Sequence, residues 1–291
     1  MQNNVLLGTG LMVVTTFMFS TMDGVSRYLA ENNNVFTIVK MRYWFVAIIM
    51  AISCLLVKDS FKKLLYTKQP FTQFSRGLKL SLNNCLVVYT FTLLGLVETH
   101  AIIACYPLIV AGMSVPFLGE KFGWRRWTAI FVGFLGAIII LRPTTNVISE
   151  GAIYALIGAI MFAVYLILTR YVSRLDNAIT SFFWTGIGGS VTMTIISLFI
   201  WEDILREDHL WLLIMCLLSA SSHFMMVKTL QVAEASVIQP FSYLQLVFGS
   251  IIGVTIFSES IDLMIVFGSI IVICAGLFTA WRQYINKHLI R

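Results

Sequence analysis

Ten apolar stretches, most of them close to the length of a membrane-spanning helix, leave this chain little choice of fold. A helix crossing the hydrocarbon core needs roughly 20 mainly apolar residues. Lipid supplies no hydrogen-bond partners, so each segment must satisfy its own backbone. Such segments fall at about 5–25, 36–57, 79–97, 100–118, 127–141, 151–170, 179–200, 210–230, 236–257 and 262–281. The stretch at 127–141 is short and is expected to begin earlier or to tilt little. Hydrophobic side chains make up 58% of the 291 residues and charged ones only 12%, too little charge to coat a water-facing domain. The first stretch lacks a basic leading region, and its polar end (Asp23, Arg27) lacks a small-residue cleavage site, so it reads as a retained helix.

The five cysteines (Cys54, Cys85, Cys105, Cys216, Cys274) all fall within apolar stretches and show no metal-ligand spacing. They read as small packing or lipid-facing residues, and no metal or cofactor is expected.

Charge orients the segments. With the N-terminus inside, Lys58, Lys62, Lys63, Lys68, Arg76, Lys79, Lys121, Arg125, Arg126, Arg170, Arg174, Lys228, Arg282, Lys287 and Arg291 fall on the inner side. Only Arg27, Arg142 and Arg206 fall outside, while Lys40 and Arg42 lie within the second span. That is a strong positive-inside bias, and it predicts cytoplasmic N- and C-termini. The same topology accounts for the net charge of +6. Cations spread over separate inner loops argue against nucleic-acid binding. The largest loop, about 58–78, is basic and reads as a surface helix.

Two segments 143 residues apart, Gly8 to Thr37 and Gly151 to Thr180, align without a gap. They share Met18-Phe19 with Met161-Phe162, Arg27-Tyr28 with Arg170-Tyr171, Asn34 with Asn177, and Thr37 with Thr180. These segments open spans one and six, so residues 5–141 and 151–281 form two five-helix halves. An odd number of spans per half inverts the second relative to the first, an arrangement common in secondary transporters. Leu118-Gly119-Glu120 closes span four as Phe257-Ser258-Glu259 closes span nine.

On these residues the chain resembles the drug/metabolite transporter superfamily, in particular its EamA-type ten-helix members. The resemblance is carried by Met22-Asp23-Gly24 with Arg27-Tyr28-Leu29, Met41-Arg42-Tyr43, Pro107 with Phe117-Leu118-Gly119-Glu120, and the stretch from Ala235 to Glu259. The Asp-then-Arg layout is similar to a subgroup containing S-adenosylmethionine and riboflavin uptake carriers. Leu246 stands where the family often has proline, and Glu98-Thr99-His100 replaces a usual apolar or proline-rich turn. The resemblance implies an all-α integral membrane bundle of two inverted halves around a central cavity, in a bacterial inner membrane. Helices one, three, four, six, eight and nine would line the cavity, and alternating access would proceed without ATP. The lack of a GxxxxGK[ST] loop agrees.

Polar residues inside spans are the site candidates, since ionisable groups in lipid face a partner or a wet cavity. Asp23 reads either as a proton or cation site or as a local partner of Arg27, one helical turn away. Arg42 reads as a group for substrate carboxylate or phosphate, or as a partner locking Asp23. Lys40 is expected to snorkel. Asn83, Asn84 and Tyr89 could face the cavity, though asparagine is also common interhelical glue. His223 is a candidate proton carrier, or a neutral histidine bonded to a neighbouring helix. Gln239 and Tyr243 share a helical face at i, i+4, which sets Gln245 aside. Pro107 and Pro240 would kink spans four and nine and assist gating. Glu120 and Glu259 read as caps or anchors of helix ends. Gly249-x-x-x-Gly253 permits close helix contact, within a monomer or in a homodimer.

The leading reading is a secondary carrier of a small organic metabolite, proton- or exchange-coupled, with Asp23 the first coupling candidate and His223 the second. An exporter of amino acids or amphipathic compounds is the alternative within transport. An intramembrane enzyme is disfavoured by the lack of HExxH, GxSxG or a deep aspartate pair. A membrane scaffold would not need inverted halves.

Overall fold

The computed structural model describes residues 5–56, 66–119, 123–141, 149–172, 175–200, 202–232 and 239–289. The helices in chain order are α1 (Val5–Asn32), α2 (Val35–Leu56), α3 (Pro70–Ile103), α4 (Tyr106–Leu118), α5 (Trp124–Leu141), α6 (Glu150–Val172), α7 (Ala178–Ser197), α8 (His209–Val232), α9 (Leu244–Phe257) and α10 (Leu263–Leu289). Short 3₁₀ turns at Arg206–Asp208 and Gln239–Tyr243 precede α8 and α9. Among the described residues, five helices are long and apolar enough to cross a membrane, and four further apolar segments are shorter. The stretch read as a surface helix divides differently. Residues 57–65 lie outside the described residues, residues 66–69 are not helical, and Pro70 opens α3 at its first turn, where a missing N–H costs nothing.

α3 is two arms rather than one rod. Gly95 (φ 79°, ψ −179°) breaks it in a region of backbone space essentially restricted to glycine. The chain reverses there. The Thr99 hydroxyl donates to the Thr90 carbonyl at 3.3 Å, and the Phe91 and His100 rings lie 5.5 Å apart. Nine residues along a straight helix would separate those positions by about 13.5 Å. Spans three and four are therefore the arm 70–94 and the arm from Leu96 through α4, with a second interruption at Ala104–Cys105.

The reversal exposes the first N–H groups of the new arm, which need acceptors. Glu259, just beyond α9, supplies them: its two carboxylate oxygens accept from the N–H groups of Leu96 and Val97, each at 2.8 Å. The same carboxylate forms an ion pair with Arg27, whose guanidinium lies 4.2 Å from the centre of the Phe257 ring. A side chain at Gly95 or Gly253 would occupy the space that the carboxylate fills.

Helix directions follow from which ends meet. Asn33 donates to Asp208 at 2.6 Å and accepts from the Leu205 N–H at 3.0 Å, so the end of α1 sits beside the start of α8. Gly151, opening α6, lies against Leu94, while Asp176, beyond the other end of α6, meets Thr67, Lys68 and Gln73 at the start of α3. α1 packs along α8 and α9, α6 packs along α3 and α4, and α5 and α10 lie against each other. A stripe of Ala152, Ala155, Ala159 and Ala163, all at most 1% exposed, lets α6 approach closely. Gly77 and Gly188 do the same where α3 crosses α7. Gly249 and Gly253 pack inside the monomer, against the His100 ring and the Glu259 carboxylate.

The repeated residues have matching jobs. Asn34 accepts from the Phe36 N–H at 2.9 Å and Asn177 from the Thr180 N–H at 2.7 Å, so each caps the second helix of its half. Gly119 (φ 71°) and Ser258 (φ 54°) end α4 and α9 in the same left-handed conformation, donating to Ser114 and Gly253 five residues back.

At the end of the bundle away from Gly95, Asp176 accepts from Thr67, from Gln73 Nε2 at 2.8 Å and from the Lys68 N–H at 3.3 Å. Gln73 in turn accepts from Arg76 and donates to Ser181 at 3.1 Å, and Arg76 reaches Thr169 at 3.0 Å. Burial alone would push the Asp176 carboxyl up, but the bonds from Thr67, Gln73 and Lys68 outweigh it and hold the group below the ordinary carboxylate range.

Three outcomes are expected in thermal unfolding of the detergent-solubilised chain. Gly95→Ala loses about 1–3 kcal/mol to backbone strain alone, and more from displacing the cap, whereas Gly10→Ala, inside α1 with open space around it, does not lower the melting temperature. Glu259→Ala destabilises more than Glu259→Gln, which keeps one acceptor, and Arg27→Ala adds little on top of Glu259→Ala because the two changes break one interaction. Asp176→Ala lowers the melting temperature at pH 7. A depressed native pKa means that this stabilisation is present above the unfolded value and lost as pH falls through the native one, so the difference shrinks as pH falls below the ordinary carboxylate value.

Candidate substrate and coupling site

Asp23 sits on the face of α1 turned into the bundle and is only 8% exposed. Its partners come from other spans. Gln245 Nε2, in the first turn of α9, donates to Asp23 Oδ2 at 3.1 Å. The Gln245 carbonyl accepts from the Ser20 hydroxyl at 3.0 Å, which pins the start of α9 to α1. His100 Nε2 lies 3.6 Å from the same carboxylate oxygen. His100 is buried in the arm beyond Gly95, between the Phe91 ring and the bare backbone of Gly249. Arg27, the neighbour one turn along α1, turns instead to Glu259.

Arg42, on α2, is 5% exposed, and its Nη2 lies 2.9 Å from His223 Nε2 on α8. A guanidinium only donates, so Nε2 is the acceptor and the imidazole is neutral with its proton on Nδ1. In this state His223 holds Arg42 and carries no extra proton. The His223 ring packs edge-on against Phe19, centroids 5.0 Å apart. Phe19 stands four residues before Asp23 on the same face of α1. No ion pair within 4.0 Å joins Asp23 to Arg42.

Other candidates have packing partners. Asn84 donates to the Tyr43 hydroxyl at 2.8 Å, joining α3 to α2, and Asn83 is buried facing Gly158 of α6. Tyr89 is exposed beside Tyr154, ring centroids 5.9 Å apart. Tyr243 is buried with its ring against Gly276 of α10. The side chains of Gln239 and Pro240 lie outside the described residues, as does Glu120. Pro107 stands in the first turn of α4, at the interruption after Ala104–Cys105 rather than inside a continuous helix. Lys40 does not snorkel: it is 1% exposed, with its ammonium 5.4 Å from the centre of the Trp44 ring and within the electrostatic reach of Asp203.

Two residues of the interior escape the sequence reading. In the sequence, His100 reads as part of the Glu98-Thr99-His100 turn, although an ionisable side chain within an apolar stretch is itself a signal. Gln245 was set aside by an α-helical spacing argument, but residues 239–243 are 3₁₀, where i and i+4 do not share a face. Among the described residues no cluster of His, Cys, Asp or Glu could hold a metal ion. Cys85, Cys105 and Cys216 are buried free thiols, and Cys274 is exposed.

A protein-family model described as the EamA-like transporter family matches the chain twice, over residues 6–142 and 149–281. An S-adenosylmethionine uptake transporter of Rickettsia felis is 27% identical over 96% of this chain and 94% of its own length. A riboflavin transporter of Vibrio cholerae is 26% identical over 62% of each chain. A solved crystal structure at 12% identity shares the fold, with a TM-score of 0.66 over 94% of this chain and 96% of that one. A buried carboxylate and guanidinium inside an apolar helical bundle, with the family's model matched in both halves, make the chain a member of the EamA-like transporter family, a multi-pass membrane transporter.

Proposed function

We propose that this chain is a secondary carrier that takes up a small organic metabolite related to S-adenosylmethionine by alternating access. The observation that carries this reading is the near end-to-end similarity to a named S-adenosylmethionine uptake transporter. The named riboflavin transporters are less similar, 26% identical over 62% of the chain or 22% over 94%, so a flavin is the weaker candidate.

The halves, residues 5–141 and 151–281, are inverted in this reading. The exchange of packing supports it: α1 of the first half lies on α8 and α9 of the second, while α6 of the second lies on α3 and α4 of the first. The ends that meet also support it, because α1 and α6 run in opposite directions. With the N-terminus inside, the Arg27–Glu259 pair and the Asn33–Asp208 contact close the outer end of the interface between halves. The Asp176–Gln73–Arg76 network closes the inner end, and alternating access releases one end at a time. The backbone interruptions beside Pro107 and Pro240 are where spans four and nine bend.

Asp23 is the group that couples transport, by exchange or by a proton, with Gln245 and His100 as its neighbours. His223 serves Arg42. Asp23→Asn is expected to reduce uptake of labelled S-adenosylmethionine into proteoliposomes at least tenfold, with and without a pH gradient, while the protein still purifies as a folded species. The asparagine keeps the shape and the Gln245 contact but removes the charge. Undiminished uptake by this variant would overturn the role of Asp23, and no uptake of either metabolite by the wild-type chain would overturn the carrier reading.

A further inference from the structure

The ionisable side chains of the interior sort by what satisfies them. Arg27 pairs with Glu259, Arg42 donates to the neutral His223 imidazole, and the Tyr43 hydroxyl accepts from Asn84. Lys40 lies beside Trp44, Tyr243 stands against Gly276, and Glu150 accepts from Tyr154. These groups come from the elements packed on α1 and on the arm beyond Gly95. Among the described residues, none of the charged ones forms an ion pair with Asp23 within 4.0 Å. Asp23 and His100 are left facing each other. Asp23 is buried and accepts from one neutral amide, that of Gln245. His100 Nε2 is buried without a hydrogen bond, 3.6 Å from Asp23 Oδ2. That separation is about 0.8 Å beyond a charge-assisted N–H···O bond. The imidazole is held there between the Phe91 ring and Gly249, whose missing side chain leaves it room.

We propose that Asp23 and His100 form one proton-binding unit, and that this pair, rather than His223, couples transport to a proton. The assignment rests on the carrier reading above and deepens it, naming the coupling ion and a second coupling residue. The proton count supports it. Without an added proton the pair is a carboxylate beside a neutral imidazole, one net negative charge enclosed in an apolar bundle, which is costly. One proton makes the pair neutral, either as imidazolium against carboxylate or as a carboxylic acid donating to Nε2. Both forms place a hydrogen between Nε2 and Oδ2, so the proton belongs to the pair. His223 is unsuited to the task. A proton added at its Nε2 would remove the acceptor that Arg42 uses and set two cations side by side. Coupling also needs a proton affinity that differs between two arrangements of the bundle. His100 belongs to the arm that Glu259 caps, and Asp23 to the helix that Arg27 ties to the same carboxylate. An arrangement that parts Arg27 from Glu259 therefore draws α1 away from His100 as well. The widened gap ends the sharing of the proton, so its release is tied to the opening of that end. Leu166 stands at the position of Asp23 in the second half, so the repeat does not duplicate the pair.

Two measurements test the pair, and the first needs no transport. Histidine titration is followed by NMR on the full chain with isotope-labelled imidazoles, in wild type and in Asp23→Asn. The variant is expected to change the pH at which His100 titrates and to leave His223 as it was. An unmoved His100 overturns the shared proton. The second measurement uses proteoliposomes and labelled S-adenosylmethionine. An imposed pH gradient is expected to change the initial rate of net uptake by wild type severalfold. In His100→Gln, which keeps a polar side chain of similar reach but cannot titrate, the ratio of rates with and without the gradient should fall to one. Net uptake by wild type that ignores the gradient overturns the proton coupling, and so does a full gradient response in His100→Gln. The NMR comparison and the wild-type gradient do not depend on the His100 variant, so a folding defect in it cannot mask the result. Counterflow at equal pH on both sides separates the two levels of the proposal. Wild-type counterflow without a gradient response removes the proton coupling alone, whereas no counterflow of S-adenosylmethionine or riboflavin removes the carrier reading beneath it.

Discussion

The Glu259 carboxylate sits where the architecture would otherwise be most costly. A chain that reverses between two membrane helices must break its helical ladder, and lipid offers no water for the N–H groups this frees. Gly95 makes the reversal sterically possible, and Glu259 makes it electrically tolerable by accepting from Leu96 and Val97. A carboxylate suits a helix N-terminus because the helix dipole is positive there, and Arg27 balances the remaining charge. Three segments far apart in sequence are thereby tied together: the end of α1, the tip between spans three and four, and the turn after α9. The interior site inherits its geometry from this tie. His100 stands five residues beyond Gly95, and only the reversal brings it back beside Asp23.

What the sequence could disclose follows the range of the interactions. Apolar length is local, so the ten helical segments were readable, with ends displaced where polar residues continue a helix, as at Pro70 and beyond residue 281. The repeat was readable because its residues do local work, Asn34 and Asn177 each capping the helix that follows. Pairings across the bundle were not readable. Within α1, Arg27 is the obvious partner for Asp23 at i, i+4, but Glu259 arrives from 232 positions further along and takes it. Gln245 was missed because a 3₁₀ turn rotates the faces before α9 begins, and His100 because the reversal lies at Gly95 rather than at the polar triplet that follows. Lys40 was expected to reach for water, yet the bundle buries it beside Trp44.

Two charged residues one turn apart on α1, Arg27 and Asp23, have different surroundings. A closed pair is already satisfied. A ligand competing for either partner must first separate them and desolvate the one it leaves behind, which costs several kcal/mol. Such a pair is suited to holding a turn. Asp23 and Arg42 are instead each buried against a neutral hydrogen-bonding neighbour. Gln245 and His223 occupy those neighbouring positions, each from the second half of the chain, while both charges come from the first. Side-chain contacts of this kind join the first half to the second at buried positions, and a ligand shifts the balance between two arrangements of a bundle only by its differential affinity for them.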